Sequence, residues 1–168
     1  MIVIVAGVSG SGKTTVGKAL AQQWGCAYGE ADEFHPPENI AKMAAGTPLN
    51  DDDRAPWLQR IADYADERIA KGESAVVTCS ALKRRYRDFL RRGRPELRIV
   101  LLDGDRATIA RRLSERKGHF FKEHLLDSQF RDLEPPQADE EIVAVPITGT
   151  PDEIVASIVR ALDPTSCK

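Results

Sequence analysis

Three glycines fall within residues 7–12, directly behind the apolar, β-branched run at residues 2–6, and few chain geometries accommodate that combination. The segment Gly7-Val8-Ser9-Gly10-Ser11-Gly12-Lys13-Thr14 fits the pattern GxxxxGK[ST] at every fixed position. Glycines there let the backbone turn tightly, so that successive N–H groups face inward. The helix expected to follow points its positive end at the same spot, and together they form an anion cradle suited to phosphate. Lys13 is placed to reach the β- and γ-phosphates of a nucleoside triphosphate, and the Thr14 hydroxyl to ligate the Mg²⁺ that accompanies it. Gly7, Val8, Ser9, Gly10, Ser11, Gly12, Lys13, Thr14 and Thr15 are therefore the candidate nucleotide-binding residues. The plainer alternative, a glycine-rich turn that binds nothing, fits the complete pattern in its strand-to-helix setting poorly.

Runs at residues 75–78 and 99–102 match the first one and read as strands buried on both faces, which suits a parallel sheet. A fourth run at 142–147 contains Pro146, placing it near an edge, and a weaker strand spans 27–32. Helices are expected over 13–24, ending at Gly25, and over 56–70, with Asp53 as cap and Pro56 in the first turn. Further helices cover 82–91, 106–116 and 152–162. Strands alternating with helices imply right-handed crossovers and a doubly wound α/β sheet. At 168 residues the chain suits one domain, taken as 1–163, with a frayed tail at 164–168.

The net charge of −2 leaves no basic surface for nucleic acid or membrane, which favours a small-molecule partner. Cys26, Cys79 and Cys167 are widely spaced and read as reduced thiols. The run at 2–6 is too short to cross a bilayer and has no basic leader, so a cytoplasmic protein is expected.

Glu30 and Asp32 stand two apart at the end of the second strand, where extended chain would aim both the same way. Glu30 could act on Mg²⁺ through water, and Asp32 could accept a proton from an attacking hydroxyl. His35, in an extended stretch before Pro36 and Pro37, could donate a hydrogen bond to substrate. Arg54, beside Pro56 and Trp57, offers a fork for a carboxylate or phosphate, whereas Asp51 and Asp52 read as a polar loop and helix cap. Positive charge gathers from Lys83 to Arg87 at a helix start, which opposes the helix dipole and suggests an anionic partner. A second basic stretch, from Arg111 to Lys117, reads as part of a lid over about 112–135, with Arg116 and then Arg112 as candidates to meet the transferring phosphoryl group. Adenine is expected between Arg112 and the loop at 148–151. His119 and His124 have no cysteine nearby and do not make a zinc site.

A regulatory GTPase is disfavoured because no NKxD tetrapeptide is present. A motor ATPase is disfavoured because Val76-Val77-Thr78-Cys79-Ser80 lacks a terminal Asp.

Beyond the glycine-rich loop, the chain carries His35-Pro36, Gly46-Thr47-Pro48-Leu49-Asn50-Asp51-Asp52-Asp53-Arg54-Ala55-Pro56-Trp57-Leu58, Cys79-Ser80-Ala81-Leu82-Lys83-Arg84, Lys117-Gly118-His119-Phe120 and Ser128-Gln129-Phe130. With these segments it resembles the gluconokinases, within the group of P-loop kinases that includes shikimate and nucleoside-monophosphate kinases. One departure is Glu30-Ala31-Asp32, where the family usually carries Asp-Gly-Asp. The resemblance implies a three-layer α/β/α sandwich of about five strands in the order 2-3-1-4-5, with a lid. It implies Mg-ATP-dependent phosphorylation of D-gluconate on its 6-hydroxyl, feeding the pentose phosphate or Entner–Doudoroff routes, and a homodimer. Lys13, Asp32 and Arg116 are then the catalytic candidates, and Asp32, His35, Arg54, Lys83 and Arg87 hold the sugar acid. A shikimate-kinase-like enzyme with another acceptor and a non-catalytic nucleotide sensor are the competing readings.

Overall fold

The computed structural model describes residues 1–115 and 123–162. Arg116, His119, Cys167 and the expected tail at 164–168 lie outside the described residues.

β1 (Ile2–Ala6) is fully buried along its length. It lies between β3 (Ala75–Cys79) and β4 (Leu97–Asp103), parallel to both. β2 (Ala27–Glu30) joins the far side of β3, and β5 (Val143–Pro146) the far side of β4, giving the order β2-β3-β1-β4-β5. Pro146 ends an edge strand, where its missing N–H costs no ladder bond.

Alternate residues of β1 feed two cores, as the two-residue strand period requires. Ile2 and Ile4 pack under α3 (Asp51–Ala70) and α4 (Arg84–Arg91), against Trp57, Leu58, Ile61 and Leu90. Val3 and Val5 face α1 (Lys13–Trp24), α5 (Arg106–Ser114) and α7 (Pro151–Leu162), against Val16, Leu20, Ile109 and Ile158. A sheet covered on both faces accounts for strands that are apolar at every position. The chain is thus a three-layer α/β/α sandwich, and no described helix is long and apolar enough to cross a membrane.

Three local readings need correction. α3 begins five residues before the expected Pro56, because Asn50 caps it: Asn50 accepts from the Asp53 N–H and Asp53 accepts from the Asn50 N–H, a reciprocal capping box. Pro56 consequently lies inside the helix. α2 (Pro37–Ala44) was not anticipated, although Pro37 at its first position is a recognised helix start. α6 (Glu123–Asp132) falls inside the stretch read only as lid.

Candidate active site

β1 ends at the glycine-rich loop. Gly7, Gly10 and Gly12 take φ of 143°, 84° and 99°, a region that side-chain-bearing residues rarely enter. Gly12, at the N-cap of α1, has no side chain to satisfy the first N–H groups of the helix, which remain available to an anion. Lys13 folds back so that its Nζ donates to the Val8 carbonyl at 2.9 Å. α5 lies close over the loop: a Cβ on Gly10 would come within 2.6 Å of Leu113.

Glu30 and Asp32 diverge, contrary to the extended geometry read from the sequence. β2 stops at Glu30, and Ala31–Phe34 forms a single 3-10 turn, held by Trp57 Nε1 donating to the Ala31 carbonyl at 2.6 Å. Glu30 turns toward the loop: its carboxylate accepts from Tyr28 Oη at 2.5 Å, Thr78 Oγ1 at 2.5 Å and Thr14 Oγ1 at 3.2 Å. Burial alone would raise the Glu30 pKa, but the hydroxyls of Thr78, Tyr28 and Thr14, with the Lys13 charge, hold it below the ordinary carboxylate value. Burial, reinforced by the Glu30 hydrogen bond, pushes Tyr28 up to about 12.

Asp32 instead lines a cleft of about 840 Å³, together with His35, Arg54, Lys83, Trp57, Tyr86 and Gln129. The cleft adjoins the loop at two points. Ser80, on the cleft wall, accepts from the Gly7 N–H at 3.3 Å. Gln129 of α6 accepts from the Ser9 N–H at 2.6 Å and donates to Ser9 Oγ at 3.0 Å.

His35 stacks on Trp57, with ring centroids 4.7 Å apart and planes 9° from parallel. Asn39 Nδ2 donates to the Asp53 carbonyl at 2.7 Å and lies 3.4 Å from His35 Nδ1. Nδ1 is therefore the acceptor and Nε2 carries the proton. Burial depresses the His35 pKa; Asp32 opposes that effect and Arg54 adds to it.

Asp51 has a larger part than a cap. At the first position of α3, it lines the cleft and takes Lys83 at 3.2 Å, with Arg85 and the Tyr86 hydroxyl on the same carboxylate. Arg54 stands 3.8 Å from it and donates to Tyr86 Oη at 3.1 Å. The i,i+3 spacing of Asp51 and Arg54 was the available signal. Gln129 gave none beyond its place in the family-like segment.

The expected acceptor residues are thus brought together with one exception. Arg87 is 1% exposed and makes a two-pronged pair with Glu140, at 2.7 and 2.9 Å. Its Nη1 donates to the Leu82 carbonyl at 2.7 Å, so it braces the cleft wall from behind. Arg84 is likewise engaged by Asp139, and these acids offset the positive helix start within the protein itself. Thr15 and Arg112 border a smaller cavity of about 270 Å³ with Gly12, Gly149 and Pro151, and Arg112 Nη2 donates to the Ile147 carbonyl at 2.5 Å. Cys26 and Cys79 are free thiols, and burial pushes Cys79 up to about 12.

No group of three or more His, Cys, Asp and Glu among the described residues is arranged to hold a metal ion unaided. The donor set at Thr14, an oxygen beside a carboxylate at an anion cradle, nevertheless fits Mg²⁺ arriving with phosphate oxygens.

A family described as AAA domain matches residues 2–136. The thermoresistant gluconokinase of Escherichia coli strain K12 is 45% identical over 162 residues, which cover 96% of this chain and 93% of that protein. Among solved structures, an unliganded sugar kinase from Janibacter sp. HTCC2649 superposes with a TM-score of 0.88 at 44% identity, covering 98% of this chain and 95% of that one. A gluconokinase from Sinorhizobium meliloti 1021 gives 0.85 at 45% identity, covering 98% and 92%.

Proposed function

The chain belongs to the gluconokinase family, and we propose that it transfers the γ-phosphoryl group of ATP to the 6-hydroxyl of D-gluconate, giving 6-phospho-D-gluconate and ADP. The observation that carries this reading is the cleft, which brings the Asp32 carboxylate and the Arg54 and Lys83 cations to the phosphate cradle through Ser80 and Gln129. A sugar acid has matching chemistry: a carboxylate for the cations at one end and a primary hydroxyl for Asp32 at the other.

In this reading Asp32 takes the hydroxyl proton as the acceptor oxygen bonds to phosphorus and the bond from phosphorus to the ADP oxygen breaks. Lys13 and the uncapped N–H groups of α1 offset the charge on the phosphates. His35 presents its Nε2 proton to a substrate hydroxyl. Mg²⁺, held by Thr14 with Glu30 beside it, would draw off negative charge from the phosphate oxygens when bound. The smaller cavity between Arg112 and Pro151 is assigned to adenine, and Arg116 to the transferring group.

A coupled assay of ADP release with Mg-ATP and D-gluconate, shikimate, idonate, glucose and nucleoside monophosphates tests the acceptor. Saturable turnover with gluconate is expected, and turnover confined to another member would overturn the assignment. Asp32→Asn should lower kcat by about 10²- to 10⁴-fold, the usual range for a positioned base. Arg54→Ala should chiefly raise the gluconate KM while leaving ATP binding nearly intact.

A further inference from the structure

A hydroxyl that ligates a cation must offer it a lone pair and send its proton elsewhere. Thr14 has a single O–H, and the nearest acceptor is Glu30, whose Oε2 lies 3.2 Å and Oε1 3.5 Å away. Glutamate is a flexible choice for that task, having one more rotatable bond than aspartate. Here the extra freedom is removed. Tyr28 Oη donates to Oε2 and Thr78 Oγ1 to Oε1, both at 2.5 Å, and the two hydroxyls are themselves 3.2 Å apart. Tyr28 and Glu30 are both on β2, two residues apart, so they project to one face of the sheet, and Thr78 is the β3 partner of Glu30 in the parallel register. The backbone also holds the tyrosine ring: a Cβ on Gly17 of α1 would meet Tyr28 Cε2 at 3.1 Å and Thr78 Cγ2 at 2.6 Å, so the helix carrying Thr14 rests directly on this pair.

We propose that Tyr28 is a positioning residue for the metal–nucleotide site: it clamps Glu30 so that the carboxylate accepts the hydrogen bond of the Thr14 hydroxyl and turns the Thr14 oxygen lone pairs toward the cation. Glu30 serves this site as the acceptor that orients Thr14, and the Tyr28 and Thr78 hydroxyls remove the rotational freedom of its long arm. The inference rests on the reading of Thr14 as the Mg²⁺ ligand of a bound nucleotide.

The test is uptake of Mn²⁺, followed by electron paramagnetic resonance, by the protein bearing a non-hydrolysable ATP analogue, so that turnover plays no part. Tyr28→Phe keeps the ring and deletes the hydroxyl. It should weaken Mn²⁺ binding by about five- to tenfold, the scale of one hydrogen bond to a charged acceptor acting through a neighbour. Analogue affinity in EDTA should be unchanged, since the metal-free cradle does not involve the tyrosine. In a Glu30→Gln background the same substitution should have little further effect, because the clamp then has no carboxylate to hold. Thr78→Val removes the other restraint and should weaken Mn²⁺ uptake in the same way. Wild-type Mn²⁺ affinity in both Tyr28→Phe and Thr78→Val, or an undiminished Tyr28 effect without Glu30, would overturn the clamp while leaving the nucleotide site standing. Failure of the wild-type protein to take up Mn²⁺ with the analogue would overturn the metal–nucleotide reading itself, and the clamp with it.

Discussion

His35 shows how one side chain is tuned by its immediate surroundings. Trp57 covers one face of the ring, Asn39 supplies the hydrogen bond to Nδ1, and burial with the nearby Arg54 charge outweighs the pull of Asp32 toward protonation. Its pKa in the folded protein therefore lies below the ordinary histidine value. The unfolded chain binds more protons than the native one in the interval between the two pKa values, so stability must rise with pH there. The contribution is fully present above the unfolded pKa and is lost as pH falls through the folded one. His35→Gln, which cannot be protonated, should accordingly show a smaller loss of stability than the wild type between about pH 7 and about pH 5. Urea midpoints measured across that interval would check it, and parallel curves for the two proteins would contradict it.

At the scale of elements, the close seating of α1 on β2 and β3 decides the geometry of the phosphate site. Gly17 lies in the middle of α1, where alanine would ordinarily be favoured by roughly 0.5–1 kcal/mol. A methyl group there would stand 2.6 Å from Thr78 Cγ2, however, and the helix or the strand would have to move. Overpacking of that kind costs about 1–3 kcal/mol, which exceeds the gain in helix propensity. Gly17→Ala should therefore lower stability by about 1–2 kcal/mol in equilibrium urea unfolding. It should also weaken Mn²⁺ uptake, since α1 carries Thr14 in its first turn. A stabilised variant would show that propensity outweighs packing at this position.

Across the whole molecule, the Arg87–Glu140 pair ties α4 to the 3-10 turn at Ala138–Glu140, which precedes β5, and so joins the cleft wall to the far edge of the sheet. Both side chains are 1% exposed, and the Arg87 hydrogen bond holds the Glu140 carboxyl below its ordinary pKa. Removing only one member strands a buried charge, so Arg87→Met should cost about 3–5 kcal/mol in urea unfolding. Replacing both, with Arg87→Met and Glu140→Leu, should restore much of that loss, because an apolar pair of similar volume avoids the desolvation of both ions. Equal losses in the single and double variants would argue against a stranded charge as the cause. The sequence alone determined the nucleotide cradle, because glycine spacing, Lys13 and Thr14 act through backbone and neighbours close in the chain. It also determined the central strands, because a sheet covered on both faces demands apolar residues at every position. What tertiary structure alone decided was the direction of the charged side chains. Lys83 and Arg87 are one turn apart on the same basic segment, yet Lys83 faces the cleft while Arg87 is drawn inward by Glu140, 53 residues away. Glu30 and Asp32 stand two residues apart and serve different places because the chain turns at Ala31 under Trp57. Such partners meet only after the helices have packed, and residue type and local spacing do not encode which distant counterion will be nearest.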